Sequence, residues 1–265
     1  EIQSLIPADL ELIPALQPAG WPDIMPHIEF YVNNSFCFPI KIVIDNKIAG
    51  IGTNIIHQHT AWLAHIIVHP DYRNKGIGTL ITQTLIDSLQ AKGLSTFYLM
   101  ASDMGEPIYK KLGFKIESEY LLYKDVKPLA NYPASPNIIP ISDSHKEQIA
   151  ALDSKASGED RMFHLEKYLA TGYVYVHNDM VEGFYLPGWG EGLIMAGTAL
   201  AGIELMKQRF TEKGNASFPS ENKGAAVFMD QHKIAVFKTA KRMRLGPKKE
   251  WQPQYLFNRI GGNLG

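Results

Sequence analysis

Apolar residues recur at three- and four-residue steps through Ile77, Leu80, Ile81, Leu85 and Leu89, with Thr84 on the same stripe. That is the period of one helical face, and it predicts a helix over 76–90 closed by Gly93. Around it the period changes. Residues 38–44 and 48–56 are β-branched runs joined by Asp45-Asn46-Lys47, which reads as a hairpin. Residues 61–68, 96–101 and 120–124 read as further strands. Leu10, Ile13 and Leu16 suit a short helix over 7–16, and 106–112 suits another, with Pro107 in its first turn. In the second half, 144–152, 161–169, 200–210 and 221–229 look helical, and 173–177 and 237–243 look like strands. Residues 127–140 hold four prolines and little period. Prolines fix φ and remove donors, so a linker is expected here. The expected division is a first domain over 1–127, a linker over 128–137 and a second domain over 138–265. The fold class is α/β (α+β), a mixed sheet flanked by helices in each domain.

Composition narrows this. The 265 residues suit two ordinary domains, and 45% hydrophobic with 20% charged content is globular. A net charge of -1 argues against a nucleic-acid or anionic-membrane partner. The basic stretch 238–249 reads as a solvated face. A single cysteine, Cys37, allows no intrachain disulfide and fits a reducing compartment. No apolar run reaches the roughly 18 residues of a membrane span, and the first residues lack a signal-like pattern. A cytoplasmic protein is expected.

The candidate chemistry sits where strand gives way to helix. Val68-His69-Pro70-Asp71-Tyr72 leads into Arg73-Asn74-Lys75-Gly76-Ile77-Gly78, and the amphipathic helix follows at once. A helix N-terminus leaves backbone N–H groups unpaired, and its dipole adds partial positive charge. Glycines let a ligand approach, Arg73 and Lys75 add charge, and Thr79 can donate a hydroxyl. The combination is an anion cradle suited to phosphate. A P-loop would need G-x-x-x-x-G-K followed by Ser or Thr; a dinucleotide fingerprint would need G-x-G-x-x-G. Neither is present. His57 and His59 form an H-x-H pair without cysteine or acidic partners at ligand spacing, so no metal is expected.

On these residues the chain resembles the GNAT superfamily of N-acetyltransferases. The run from His65 to Gly78 is similar to its motif A. Glu-Pro-Ile-Tyr-Lys-Lys-Leu-Gly-Phe, from residue 106, is similar to its motif B. The resemblance covers roughly residues 1–125. It implies that the amides of Arg73, Asn74, Lys75, Gly76, Ile77, Gly78 and Thr79 hold the pyrophosphate of acetyl-CoA, the acyl donor. The main chain of Ile66, Ile67 and Val68 would pair with the pantetheine arm. Ser102 falls at the motif's asparagine place and Gly105 at its alanine place. Tyr109 would hydrogen-bond the coenzyme sulfur and act as general acid.

Strand alternation puts Trp62, Ala64 and Ile66 on the face of Val68, where the family's bases often lie, and His65 on the other face unless a bulge intervenes. No general base is assigned.

In the second half Asn222, Ala225, Met229 and Lys233-Ile234 echo motif B, but R-x-x-G-x-G is missing and methionine stands at the tyrosine place. Residues 152–161, 242–246 and 261–265 also resemble bacterial tandem-GNAT proteins. The resemblance therefore implies two GNAT-like domains, the second degenerate. The expected activity is acetyl transfer to a primary amine of a small molecule or peptide, with no metal. A homodimer is left open. The alternative is an acyl-CoA-binding sensor without efficient catalysis.

Overall fold

The computed structural model describes residues 1–128, 133 and 135–265. In it the β-branched runs of the first half become β2 and β3, after a short β1 and a helix. The order is β1 (Ile2–Ser4), a 3-10 stretch (Pro7–Leu16), α1 (Met25–Val32), β2 (Cys37–Ile44), β3 (Lys47–His57) and β4 (Thr60–Val68). After these come α2 (Ile77–Ala91), β5 (Thr96–Ala101), α3 (Glu106–Lys111) and β6 (Lys115–Tyr123). The second half runs β7 (Ile138–Pro140), α4 (Lys146–Ser157), α5 (Met162–Leu165), β8 (Tyr173–His177), β9 (Met180–Leu186) and β10 (Leu193–Ala196). It continues with α6 (Ala199–Arg209), β11 (Ala216–Pro219), α7 (Lys223–Gln231), β12 (Lys238–Leu245) and β13 (Leu256–Asn258). From β1 to β6 and from β7 to β12 the two halves follow nearly the same order of strands and helices.

The chain divides into two compact units, Glu1–Lys115 with Met243–Lys248, and Ile116–Arg242 with Lys249–Gly265. Residues 116–127, grouped by the sequence with the first half, thus lie in the second unit, because β6 pairs with β11 from Tyr120↔Pro219 to Tyr123↔Ala216. Of the expected linker 128–137, residues 129–132 and 134 lie outside the described residues.

The first unit is built on the sheet order β1-β2-β3-β4-β5, antiparallel except for β4 with β5, and Met243 of β12 is buried in its core. The two-residue turn Asp45-Asn46, with φ of 48° and 60°, closes the β2–β3 hairpin in the twist that hairpins favour. The predicted stripe of α2 packs Ile77, Ile81, Leu85 and Leu89 against Ala61, Leu63, Phe97 and Leu99. Gly52 makes that approach close: a Cβ there would come within 2.5 Å of Ile81. The buried pair Lys41–Asp9, 2.6 Å apart, pins the stretch 7–16 to β2. That stretch is 3-10 rather than α, with Pro14 inside it lacking the N–H an α-helix needs.

The second unit holds the antiparallel sheet β13-β10-β9-β8-β7, and β6 beside β11. Its core gathers Phe210, Phe218, Phe228, Met229 and Phe257. The end of α3 and the end of α7 share one backbone pattern. Phe114 N–H donates to Tyr109 O at 3.0 Å past Gly113 at φ 91°, and Ile234 N–H donates to Met229 O at 3.0 Å past Lys233 at φ 57°.

The hydropathy pattern does not reveal β1, α1, β7, β9, β10, β11 or β13. Most are strands of three or four residues, too short to show a period, and α1 carries Pro26 near its start. The helix expected over 161–169 splits into α5 and a 3-10 stretch, and β6 starts at Lys115, earlier than residue 120. Among the described residues no helix is long and apolar enough to cross a membrane.

Candidate active site

Beyond β4, a 3-10 turn at Pro70–Tyr72 delivers the chain to α2. Asn74 at φ 60° and Gly76 at φ 79° are both left-handed, so successive amides turn outward as in an anion-binding nest. Gly76 is the N-cap of α2 and makes no side-chain capping bond. The first helical bond of α2 runs from Leu80 N–H to Gly76 O, so the amides of Ile77, Gly78 and Thr79 precede the ladder. Arg73 Nε donates to Val68 O at 3.2 Å, which fixes the guanidinium beside the end of β4. Lys75 differs: its Nζ donates to Asp71 O at 3.0 Å and lies 5.3 Å over the Tyr72 ring.

The parallel ladder between β4 and β5 runs only from Thr60↔Thr96 to Trp62↔Tyr98. Beyond it the strands part, and the β5-facing edge of β4 borders a cavity of about 330 Å³. The cavity brings together Ile66, Ile67, Val68, Arg73, Asn74, Gly76, Ile77, Gly78, Thr79, Ser102 and Tyr109. Lys75 does not line it. Pro18, Trp21, Tyr72, Thr82, Met104, Gly105 and Ile108 line it as well and were not named as ligand-binding residues from the sequence. Gly105 and Ile108 lie inside motif B and its spacing could have flagged them. Trp21 sits in an aperiodic Pro-Ala-Gly-Trp-Pro stretch that gives no such signal.

Tyr109 lies on α3 and is only 8% exposed. Its ring packs edge-on against Phe114 at 6.0 Å. Gly105 makes room for it, since a Cβ there would stand 2.7 Å from the ring. Ser102 Oγ accepts from Gly105 N–H at 3.2 Å and sets the start of α3. Burial pushes the Tyr109 phenol up to about 12, so it keeps its proton near neutrality.

The acetyltransferase (GNAT) family model matches residues 8–114, which carry the cradle, the parted strands and Tyr109. Residues 8–114 are thus similar to the GNAT family. The chain is 32% identical over 91 residues to the uncharacterised protein YyaT of Bacillus subtilis, covering 34% of this chain and 62% of that one. It is 31% identical over 78 residues to the ribosomal protein bS18-alanine N-acetyltransferase of Salmonella typhimurium, covering 28% of this chain and 53% of that one. The chain thus spans little more than half the length of these two relatives. In fold, all of the chain superposes on 95% of a Pyrococcus horikoshii protein assigned as an acetyltransferase, with a TM-score of 0.84 at 21% identity. It covers 99% of a tandem GNAT protein from the clavulanic acid biosynthesis pathway across 94% of its own length, with a TM-score of 0.64 at 15% identity. At such identities these likenesses speak for the fold alone: two GNAT-like sheets, each flanked by helices.

The matched segment carries a bulge the alternation rule does not reveal. Ile67 faces Ile51 and Ala64 faces Thr53, so His65 and Ile66 together oppose Gly52. His65 takes the strain, at φ 47°. It meets α1, with Nδ1 2.8 Å from the Tyr31 hydroxyl and its ring 4.9 Å from that of His27. Burial, then the charge of His27, pull its pKa down to about 3, so it is neutral at ordinary pH. His57 is fully buried in β3. Among the described residues no three His, Cys, Asp or Glu side chains are grouped to hold a metal.

Proposed function

We propose that the first unit transfers an acetyl group from acetyl-CoA to the primary amine of a small molecule or peptide, by direct attack with both substrates bound. The observation that carries this reading is one cavity lined both by the uncapped N-terminus of α2 and by Tyr109. The residues suit the donor. The cradle offers amides, the α2 dipole and Arg73 to a pyrophosphate, and the unladdered edge of β4 offers strand-like pairing to an amide-bearing arm.

Acetyl-CoA brings the acyl group as a thioester: the uncharged amine attacks its carbonyl carbon, the N–C bond forms and the C–S bond breaks, the nitrogen's surplus proton passes to water and the leaving thiolate takes up one from water. The rest falls to this chain. The edge of β4 orients the reacting carbon and gains rate by proximity. Its outward amides are dipoles positioned before charge develops on oxygen. Tyr109 stays protonated and donates a hydrogen bond to sulfur as charge builds there. A phenol at about 12 holds its proton more tightly than an ordinary thiol near roughly 8.5, so a strengthening hydrogen bond is its main contribution rather than a free proton.

The test is turnover of acetyl-CoA by the full chain against alkylamines, arylalkylamines, polyamines and peptides with free N-termini, the last suggested by the ribosomal-protein relative. Arg73→Ala should raise KM for acetyl-CoA, and Tyr109→Phe should lower kcat. If both variants match the unmodified chain, the reading fails.

A further inference from the structure

The cavity has a wall that the donor reading does not use. Trp21 is 44% exposed overall, yet its ring lines the same cavity as Tyr109. It rides on the aperiodic stretch between the 3-10 stretch Pro7–Leu16 and α1. A single side chain ties that stretch. Gln17 Nε2 donates to the carbonyls of Pro18 at 3.2 Å, Trp21 at 3.2 Å and Pro22 at 3.1 Å, while its Oε1 accepts from Ile24 N–H at 3.1 Å. An exposed glutamine used wholly inside its own loop holds that loop's one aromatic ring in place.

Behind Trp21 the surroundings are rings. The His65 ring meets it edge-on at 6.3 Å, and Tyr31 lies 5.5 Å beyond His65. His65 stays uncharged for the reasons given above, so its own ring brings no positive charge to an incoming amine. Among the described residues lining the cavity none is acidic, and Arg73 is the one that carries a full charge. A polyamine or an aminoglycoside would bring several ammonium groups to a wall without a counter-charge, which is costly to desolvate. A planar apolar group would instead gain burial and edge or offset ring contacts.

We infer that Trp21 sets acceptor specificity and that the favoured acceptor bears its primary amine on a planar apolar group, such as an aryl ring on a short alkyl chain. Gln17 is the positioning residue that holds Trp21. The inference rests on the acetyl-transfer reading for the place of the amine, but it is tested by binding alone.

The experiment titrates 2-phenylethylamine and n-hexylamine separately into the full chain saturated with coenzyme A, followed by calorimetry. The aryl amine should bind roughly tenfold more tightly, the scale expected of one or two ring contacts. Trp21→Leu, which keeps an apolar side chain but removes the plane, should erase that preference, and Trp21→Phe should keep most of it. Gln17→Ala should weaken the aryl amine several-fold and leave n-hexylamine nearly unchanged, a split that general loosening of the fold would not produce. Equal affinities in the unmodified chain, tighter binding of spermidine than of the aryl amine, or a preference that survives Trp21→Leu would overturn the inference. A binding preference that holds while no amine is acetylated would support it and count against the acetyl-transfer reading instead.

Discussion

The helices α2 and α6 each follow the fourth strand of their half of the chain, yet their N-termini are finished in opposite ways. At α2 the cap is a left-handed glycine with no side chain to offer, and two cationic residues stand nearby. At α6 the cap is Thr198, whose Oγ accepts from Ala201 N–H at 3.3 Å and donates to Glu182 Oε2 at 2.8 Å. One helix start leaves its amides to an outside anion; the other satisfies them from its own side chain, with a carboxylate already against the positive end of the dipole. The same contrast recurs one helix later. α3 and α7 close with the same backbone turn, but Tyr109 faces a cavity while Met229 is fully buried. A repeated backbone therefore says little about repeated chemistry. What differs is whether polar groups are left unmet where a ligand can reach them.

Tyr109→Phe should lower kcat by about 10²–10³-fold, with a small change in KM for acetyl-CoA, as steady-state kinetics would show. The mirror change Met229→Tyr should leave kcat untouched. Gly105→Ala inserts a Cβ 2.7 Å from the Tyr109 ring and should cost about 1–3 kcal/mol of stability in denaturant unfolding, with kcat falling roughly tenfold. Thr198→Ala removes a true cap and should cost about 0.5–2 kcal/mol of stability without altering acetyl-CoA affinity.

A further effect is one of pH. His65 is depressed to about 3 from an ordinary 6.5, so between those values the unfolded chain binds a proton that the folded chain does not. Its contribution to stability is whole above pH 6.5 and is lost as the pH falls towards 3. His65→Gln should flatten that part of the stability–pH curve. An unchanged slope would show that the ring is not held neutral by its surroundings.

Legibility followed the physics of each segment. The α2 stripe and the glycines of the cradle were plain because a long period and left-handed turns need particular residues at particular places. Tyr109 was visible through its spacing to Gly113-Phe114. The bulge at His65 was not, because a histidine at positive φ is held there by contacts with α1 that lie far away in sequence. Trp21 was hidden for a similar reason, its position being fixed by Gln17 rather than by any period. The short strands β9–β11 escaped because their register comes from neighbours, and the placement of β6 beside β11 is long-range pairing that no local pattern carries.

We propose one donor site in the chain, at the start of α2. It is tested most directly by calorimetric titration of acetyl-CoA into the full chain and into Gly76→Asp. Aspartate tolerates a left-handed backbone, and a Cβ at Gly76 has nothing within 4 Å, so the change sets a carboxylate at the start of α2 without crowding. The account predicts one acetyl-CoA per unmodified chain and an affinity at least about 100-fold weaker in the variant, with thermal stability retained. Two acetyl-CoA molecules per chain, or an affinity unmoved by Gly76→Asp, would contradict it.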